Sequence, residues 1–387
     1  MKRVLEVITL ASSAEAFIGD QFKLFQSTNE YEMHLICSPS EILPQFAAKQ
    51  EIQYEAVEIC RQFSIKKDII AIYKIARYIR RHKIDIIVAH YFPKCSLLVT
   101  IANFFAGNRC KILIAHGVLH DTMHGIMRKA VIWEQKFDVF FAKKVVCVSP
   151  SVARRRREDK IDSPEKQMLL GGGSVNGVDT QNKFNPEMVS DGDISLLKTK
   201  YCIQRGDFVV GFCGRLVHDK GVEELCDALK ILFQTHPNKS IKLFVIGKPE
   251  TRDALPERTI DFLKSNINII FTGKIPYAEI QKYYLIMDVL VLPSYREGFP
   301  TVVLEACAMD VPVIVSRSTG CIDSIKENVN GVFTDISPNS IASNIERFMD
   351  DEFRLSFKGR TRRYIVENYD HTIIRKYMLD VLNSVNT

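Results

Sequence analysis

Asp288-Val-Leu-Val-Leu-Pro-Ser-Tyr-Arg-Glu-Gly-Phe-Pro-Thr-Val-Val-Leu-Glu305 is an apolar run, a turn and the opening of a helix. A short unbroken apolar run of this kind forms a buried parallel strand. Val302 to Met309 then reads as helix, with Pro300 suited to the first turn, where a missing N–H costs nothing. The backbone N–H groups of Gly298, Phe299, Thr301 and Val302 are therefore expected to face the loop. A helix start attracts phosphate or electron-rich sugar oxygens, and Gly298 allows a ligand close to the backbone. Glu297 falls outside the helix and Glu305 about one turn inside it, so both could reach one ligand from different sides.

Strand-like runs alternate with helical patterns in both directions from this stretch, the signature of a doubly wound α/β protein. The first series is Val4–Leu10, Met33–Cys37, Asp85–Ala89, Lys111–Ala115 and Lys144–Val148. The second is Phe208–Cys213, Lys242–Ile246, Asn268–Phe271, Val289–Leu292 and Pro312–Val315. Between strands, Asp68 to Arg81 places Ile69, Ile72, Tyr73, Ala76 and Ile79 on one helical face. The glycine-rich stretch Gly171 to Asp179 breaks the rhythm and reads as an interdomain connection. With 387 residues, two domains, 1–180 and 181–365, are expected, and the last segment, Tyr364 to Val385, has helical spacing.

The composition, 46 % hydrophobic and 25 % charged, is that of a soluble globular chain. No apolar run reaches membrane-spanning length. Glu6 interrupts the short run after Met1-Lys-Arg, which favours a first strand over a signal peptide. Ten cysteines without a C-x2-C pair fit buried thiols in a reducing compartment. Residues 1–185 hold 27 Lys/Arg against 19 Asp/Glu, a net charge of +8. Arg77 to Lys83, Lys143-Lys144 and Arg154 to Arg157 carry much of that excess. They suit either a solvated helix face or an anionic phospholipid surface; no nucleic-acid motif accompanies them.

Phe212-Cys-Gly214-Arg215-Leu-Val-His-Asp-Lys220-Gly221 follows a strand and opens a helix, the position at which ligands meet α/β sheets. Arg215 offers a planar fork for phosphate oxygens and Lys220 a compact ammonium. Together they could neutralise a diphosphate without a metal. His116 ends the strand Lys111–Ala115 and precedes Gly117. His120 and His124 follow at intervals of four, so a zinc triad is conceivable. Gly117 and Gly125 argue against one continuous helix, and no H-E-x-x-H pattern is present; no metal and no cofactor are expected.

The stretch Glu297 to Glu305 resembles the E-x7-E signature of retaining, nucleotide-sugar-dependent glycosyltransferases with the GT-B fold, family 4. Gly320-Cys-Ile-Asp323 is similar to the branch that builds bacterial surface polysaccharides, and Ser174 to Asp179 resembles the family's N-G-V-D element at the domain boundary. The resemblance implies two Rossmann-like domains facing a central cleft, with the final helix, at about 366–387, packing back on the first. It implies a nucleotide-sugar donor, with UDP foremost, and a saccharide or lipid-linked saccharide acceptor. It also implies a cytoplasmic protein at the inner face of the cell membrane, in the assembly of capsule or O-antigen. By the same resemblance Arg215 and Lys220 hold the diphosphate, Glu305 the ribose, and Glu297 and His116 flank the sugar as catalytic residues. Gly214, Gly298, Phe299, Pro300 and Thr301 line the donor. Ile275, after Phe271-Thr-Gly273-Lys, is similar to the stretch whose backbone reads the nucleobase. Many family members carry a Gly-Gly pair in the loop Ala11 to Gly19, where this chain has only Gly19.

Other classes remain open on sequence. A nucleotide-sugar isomerase or hydrolase would turn over donor without acceptor, and a non-catalytic sugar-nucleotide binding subunit would bind it without turnover. A dehydrogenase is disfavoured because no G-x-G-x-x-G follows the first strand.

Overall fold

The computed structural model describes residues 1–60, 64–92, 94–107 and 109–385. It divides into two compact units, one of Met1–Asn176 with Ile373–Thr387 and one of Gly177–Thr372. The boundaries expected from sequence are 180/181 and 365/366. Of the expected final helix, Asn386 and Thr387 lie outside the described residues.

The first unit is a parallel sheet in the order β3-β2-β1-β4-β5-β6-β7. Its strands are β1 (Lys2–Val7), β2 (Tyr31–Cys37), β3 (Gln53–Ala56), β4 (Ile86–Tyr91), β5 (Cys110–Ala115), β6 (Lys144–Cys147) and β7 (Gln167–Leu169). The second unit repeats the plan as β10-β9-β8-β11-β12-β13. It comprises β8 (Phe208–Cys213), β9 (Ile241–Ile246), β10 (Ile269–Gly273), β11 (Val289–Leu292), β12 (Val313–Ser316) and β13 (Gly331–Thr334). All recorded strand pairs are parallel, and central strands such as β8 and β11 are buried along their whole length. That burial is why they read as continuous apolar runs.

In each sheet the strand order reverses once, between β1 and β4 and between β8 and β11. Loops leaving the carboxyl ends of those strands part on either side of the reversal and leave a crevice. In the first unit those loops follow Val7 and Tyr91; in the second they follow Cys213 and Leu292.

Three local expectations are corrected. Ala11 to Gly19 is not an open loop but a helix, Ala11–Phe17, and a turn. The expected helix from Tyr364 to Val385 is two helices, Arg360–Tyr369 and His371–Ser384. Asp370 makes the break: its carboxylate takes the Thr180 hydroxyl and the Thr372 N–H, and backbone bonds join Val178 to Tyr369 and His371. The last helix is held in the first unit by Tyr31 to Asn383 at 2.5 Å and Lys143 to the Val385 carbonyl at 3.3 Å.

The third correction concerns the helix Ile65–Arg81. Its buried residues are Ala71, Ile75, Ala76, Tyr78 and Ile79, whereas Ile69 and Tyr73 are exposed. The helix is rotated from the expected stripe, and a second apolar row points to solvent.

Candidate functional site

In the second unit, the loops after β8 and β11 meet at the strand-order reversal. Gly221 makes this approach possible: it sits at φ +65°, and a Cβ there would overlap the Pro293 carbonyl. The Tyr295 N–H donates to the Asp219 carbonyl at 2.9 Å, and Arg296 pairs with the Asp219 carboxylate at 2.5 Å. Across this junction the Lys220 ammonium is bonded to Glu297 Oε1, which also accepts from Ser294 Oγ at 2.9 Å. Both side chains of the ion pair are mostly buried. Their mutual charge offsets the cost of withdrawing each from water.

Glu297 is held from behind as well. Its N–H donates to the Thr319 carbonyl at 2.9 Å, and Gly320, at φ +81°, lies so close that a Cβ would overlap the carbonyls of Glu297 and Gly298. The helix that follows is Thr301–Ala308. Pro300 occupies its N-cap with extended backbone, one position before the first turn where the sequence placed it, and no side-chain oxygen caps the first turn. Phe299 packs against Tyr369, ring centroids 5.4 Å apart.

Glu305, in the second turn, is buried. It accepts from the Tyr284 hydroxyl at 2.7 Å. Burial raises its carboxyl above the usual range, while the Tyr284 hydroxyl, the Lys183 ammonium and the Tyr277 hydroxyl pull the other way. Arg215, after β8, is exposed and pairs with Glu250 at 3.1 Å. A surface pair of this kind is weak, so the guanidinium exchanges partners readily. The Gly214 carbonyl faces Gly247, where a Cβ would overlap it, and the Gly247 N–H donates to the Gly273 carbonyl at 2.9 Å. Half-buried Ile275 follows two residues later. Thus Gly214, Arg215, Lys220, Glu297, Gly298, Phe299, Pro300, Thr301 and Glu305 all stand on loops or helix starts at one sheet end, with Ile275 on the neighbouring β10 loop.

In the first unit His116 leaves β5 at the same kind of position. His90, near the end of β4, places Nδ1 2.7 Å from His116 Nε2, and its Nε2 lies 2.9 Å from Glu6 Oε2 on β1. Phe17 packs on the His116 ring at 4.6 Å and Phe92 stacks at 5.3 Å. This packing desolvates the imidazole and lowers its pKa well below 6.5; the nearby His90 acts in the same direction. Sequence reading missed Glu6 and His90 as site residues. The available signal is a carboxylate and an imidazole inside apolar runs that become neighbouring interior strands of one sheet. Gly19, at φ +55°, lies against Asn176 and near Arg375, not beside His116.

The zinc alternative meets a definite arrangement. His120, Asp121 and Asp159 bring ligand atoms within 4.8 Å of one another. Their carboxylates, however, already hold Arg128 at 2.6 Å and Arg155 at 2.8 Å. His120 lies between Asp159 and Gln135, each at 2.9 Å, while His124 stands at the N-cap position of the next helix without a side-chain cap bond and is not one of the three clustered residues. The run Arg154 to Arg157 is likewise not a uniform solvated face. Arg156 is wholly buried on Asp162 at 2.6 Å, and Arg155 pairs with Asp121.

Two parallel doubly wound units, each with polar residues gathered where its strand order reverses, define the GT-B class of architecture. Comparison with solved structures agrees. A glycosyltransferase from Rickettsia africae superposes with a TM-score of 0.80 at 17 % identity, covering 100 % of this chain and 99 % of that one. Anabaena HepE in complex with UDP-glucose gives 0.80 at 19 %, covering 99 % and 100 %. Family models described as glycosyl transferases group 1 and glycosyltransferase family 4 match residues 193–370 and 25–166. The chain belongs to the group 1 glycosyltransferases of family 4. Among relatives, it is 28 % identical over 369 residues to the capsular polysaccharide biosynthesis glycosyltransferase CapM of Staphylococcus aureus, covering 95 % of this chain and 93 % of CapM. It is 25 % identical over 370 residues to an Escherichia coli UDP-Gal:alpha-D-GlcNAc-diphosphoundecaprenol alpha-1,3-galactosyltransferase, covering 95 % and 92 %.

Proposed function

We propose that this glycosyltransferase moves a sugar, with retention, from a UDP-sugar to a lipid-linked saccharide during assembly of a cell-surface polysaccharide. The observation that carries the reading is the meeting of Lys220 and Glu297 beside the start of the Thr301–Ala308 helix. A cation, a helix start and a carboxylate at one sheet end suit a sugar diphosphate, with the phosphates on the first two and the sugar on the third. The undecaprenol-linked acceptor named for the E. coli relative and the UDP-glucose bound to HepE support the choice of acceptor and nucleotide.

In this reading the diphosphate draws Lys220 from Glu297 and Arg215 from Glu250. Charge on the departing UDP is stabilised by those two cations and the helix start, the largest catalytic contribution. The C1–O bond to the diphosphate breaks as the acceptor oxygen bonds to C1 on the same face, and the leaving phosphate oxygen takes the acceptor proton. Glu297 and His116 orient the sugar, Glu305 binds the ribose, and Ile275 lies by the base. Gly19, Gly214, Gly298, Phe299, Pro300 and Thr301 complete the donor surroundings. No metal is assigned a role, so EDTA is expected to leave transfer unchanged.

A panel of nucleotide sugars screened by thermal shift, followed by transfer assays on Arg215→Ala and Lys220→Ala, tests this reading. Stabilisation by one UDP-sugar and loss of transfer in both variants are expected. Undiminished transfer would remove the diphosphate assignment, and donor hydrolysis at full rate without acceptor would favour a hydrolase.

A further inference from the structure

The helix Gly125–Phe140 is inside out. Ile126, Ala130, Trp133, Phe137 and Phe140 recur at helical spacing on one face, and each of them is exposed. Ile126 is 85 %, Trp133 73 % and Phe140 76 % exposed. Of its three buried residues, Gln135 and Asp138 are polar and Val139 alone is apolar. Gln135 donates to His120, and Asp138 holds the Lys111 ammonium at 2.6 Å. A helix facing only water carries the reverse pattern, so this one is built to have its apolar stripe covered.

Two neighbours extend the stripe into a surface. The Phe104 ring, at the end of the helix Cys95–Phe105, packs edge-on to Phe141 at 6.2 Å, and Phe141 meets Phe137 and Phe140 at 5.1 Å each. Arg80 bonds the Phe105 carbonyl, which joins the helix Ile65–Arg81 to the same surface. On that helix Ile65, Ile69 and Tyr73 form an exposed row at intervals of four, and Tyr73 is 64 % exposed. Exposed cations, Lys66, Lys74, Arg77 and Arg81, flank the row.

We infer that this three-helix surface of the first unit seats the enzyme on an anionic phospholipid bilayer, with Trp133, Phe137 and Phe140 at headgroup depth. Aromatic and aliphatic side chains bordered by Lys and Arg are the composition of a helix lying in a membrane interface. Charge selects the occupant. The helix Ile65–Arg81 has six Lys/Arg against one acidic residue, Asp68, and Asp68 is paired with Lys94 at 2.7 Å. Acidic headgroups complement that charge, whereas a second copy docked face to face would oppose like charges. Among the described residues no helix is long and apolar enough to cross a membrane, so the surface lies on the bilayer. The inference deepens the proposed lipid-linked acceptor and rests on it for its purpose. Its test uses neither donor nor acceptor, so failure here leaves the transfer assignment to be judged by its own assay.

Trp133 is the only tryptophan in the chain, so its fluorescence reports this surface alone. Full-length protein is mixed with phosphatidylcholine vesicles with and without phosphatidylglycerol. Sedimentation, Trp133 emission, and quenching by brominated acyl chains are then read. Binding to the anionic vesicles with a blue shift and quenching is expected, weakening at high salt. Phe137→Ser/Phe140→Ser and, independently, Arg77→Glu/Arg81→Glu should each lower vesicle affinity at least tenfold with thermal unfolding unchanged. All four side chains lie at the surface, and the charge pair carries the test if the aromatic pair misfolds. Absence of binding to anionic vesicles overturns the inference. So does binding that leaves Trp133 unshifted, or equilibrium sedimentation showing a dimer that the aromatic variant dissociates.

Discussion

His90 Nδ1 lies 2.7 Å from His116 Nε2, so the imidazole proposed to orient the sugar is held by a second, buried imidazole. Glu6 stands behind His90, 2.9 Å from its other nitrogen. Burial raises the Glu6 carboxyl to about 8 and lowers His90 to about 3. At neutral pH the proton therefore stays on Glu6, which donates to His90 Nε2, and His90 Nδ1–H donates to His116 Nε2. The chain fixes the tautomer of His116 without a buried charge.

A pH profile follows from these directions. The folded protein holds the Glu6 proton between its ordinary 4.5 and about 8, where the unfolded chain has released it. This contribution to stability is complete below about 4.5 and is lost as pH rises through about 8. His90 acts oppositely: its contribution is complete above about 6.5 and is lost as pH falls toward about 3. Transfer is expected to decline above pH 8 in the wild type. Glu6→Gln, whose amide still donates to His90, should keep activity within a few-fold and flatten that decline. Glu6→Ala should lose about tenfold or more, equivalent to roughly 1.4 kcal/mol. Rate against pH for the three proteins checks this, and an unchanged alkaline decline in Glu6→Gln would remove Glu6 from the chain.

The two cations of the second unit should separate in stability. Arg215→Ala breaks only an exposed pair and should alter folding by no more than about 0.5 kcal/mol. Lys220→Ala strips a mostly buried Glu297 of its counter-charge and should cost about 1–3 kcal/mol. Both should reduce transfer by roughly a hundredfold or more. Urea unfolding beside initial rates distinguishes the effects, and equal stability losses would contradict the burial argument.

Gly320 has a conformational role that only glycine fills easily, with φ +81° and the carbonyls of Glu297 and Gly298 where a Cβ would stand. Gly320→Ala is expected to destabilise the second unit by about 1–3 kcal/mol. It should also displace Glu297 and lower transfer with it. Thermal unfolding and kcat for this variant provide the check.

Arg156 is among the largest fully buried side chains of the described residues and holds Asp162 through two nitrogens, at 2.6 and 2.7 Å. Arg156→Ala leaves a buried carboxylate unpaired and should cost about 3–5 kcal/mol. Replacing both partners by leucine should recover much of that loss. Lipid binding, carried by other residues, should survive in any variant that remains folded.

The core strands were legible because burial on both faces writes itself as an apolar run. Phe208–Cys213 and Val289–Leu292 match the observed strands end to end. The strands not anticipated, Gln53–Ala56, Gln167–Leu169 and Gly331–Thr334, lie at sheet edges, and two of them are incompletely buried and mixed in polarity. Arg215, Lys220, Glu297 and Glu305 stood out because strand-turn-helix grammar puts a loop where a ligand can reach it. The Asp370 break could not be read the same way, since its cause is Thr180, nearly two hundred residues away.

The sequence by itself determined two doubly wound parallel sheets and the loops on which a donor site would stand, because period and polarity are local properties. Only the tertiary structure decided which face of an amphipathic segment turns inward. Both Ile65–Arg81 and Gly125–Phe140 contain more apolar surface than their sheet contacts use. Buried polar partners such as Lys111 and His120 claim the inner side of the second helix. The same long-range pairing brought Glu6 and His90 from separate strands behind His116. Parallel register sets those neighbours, and register joins residues far apart in the chain.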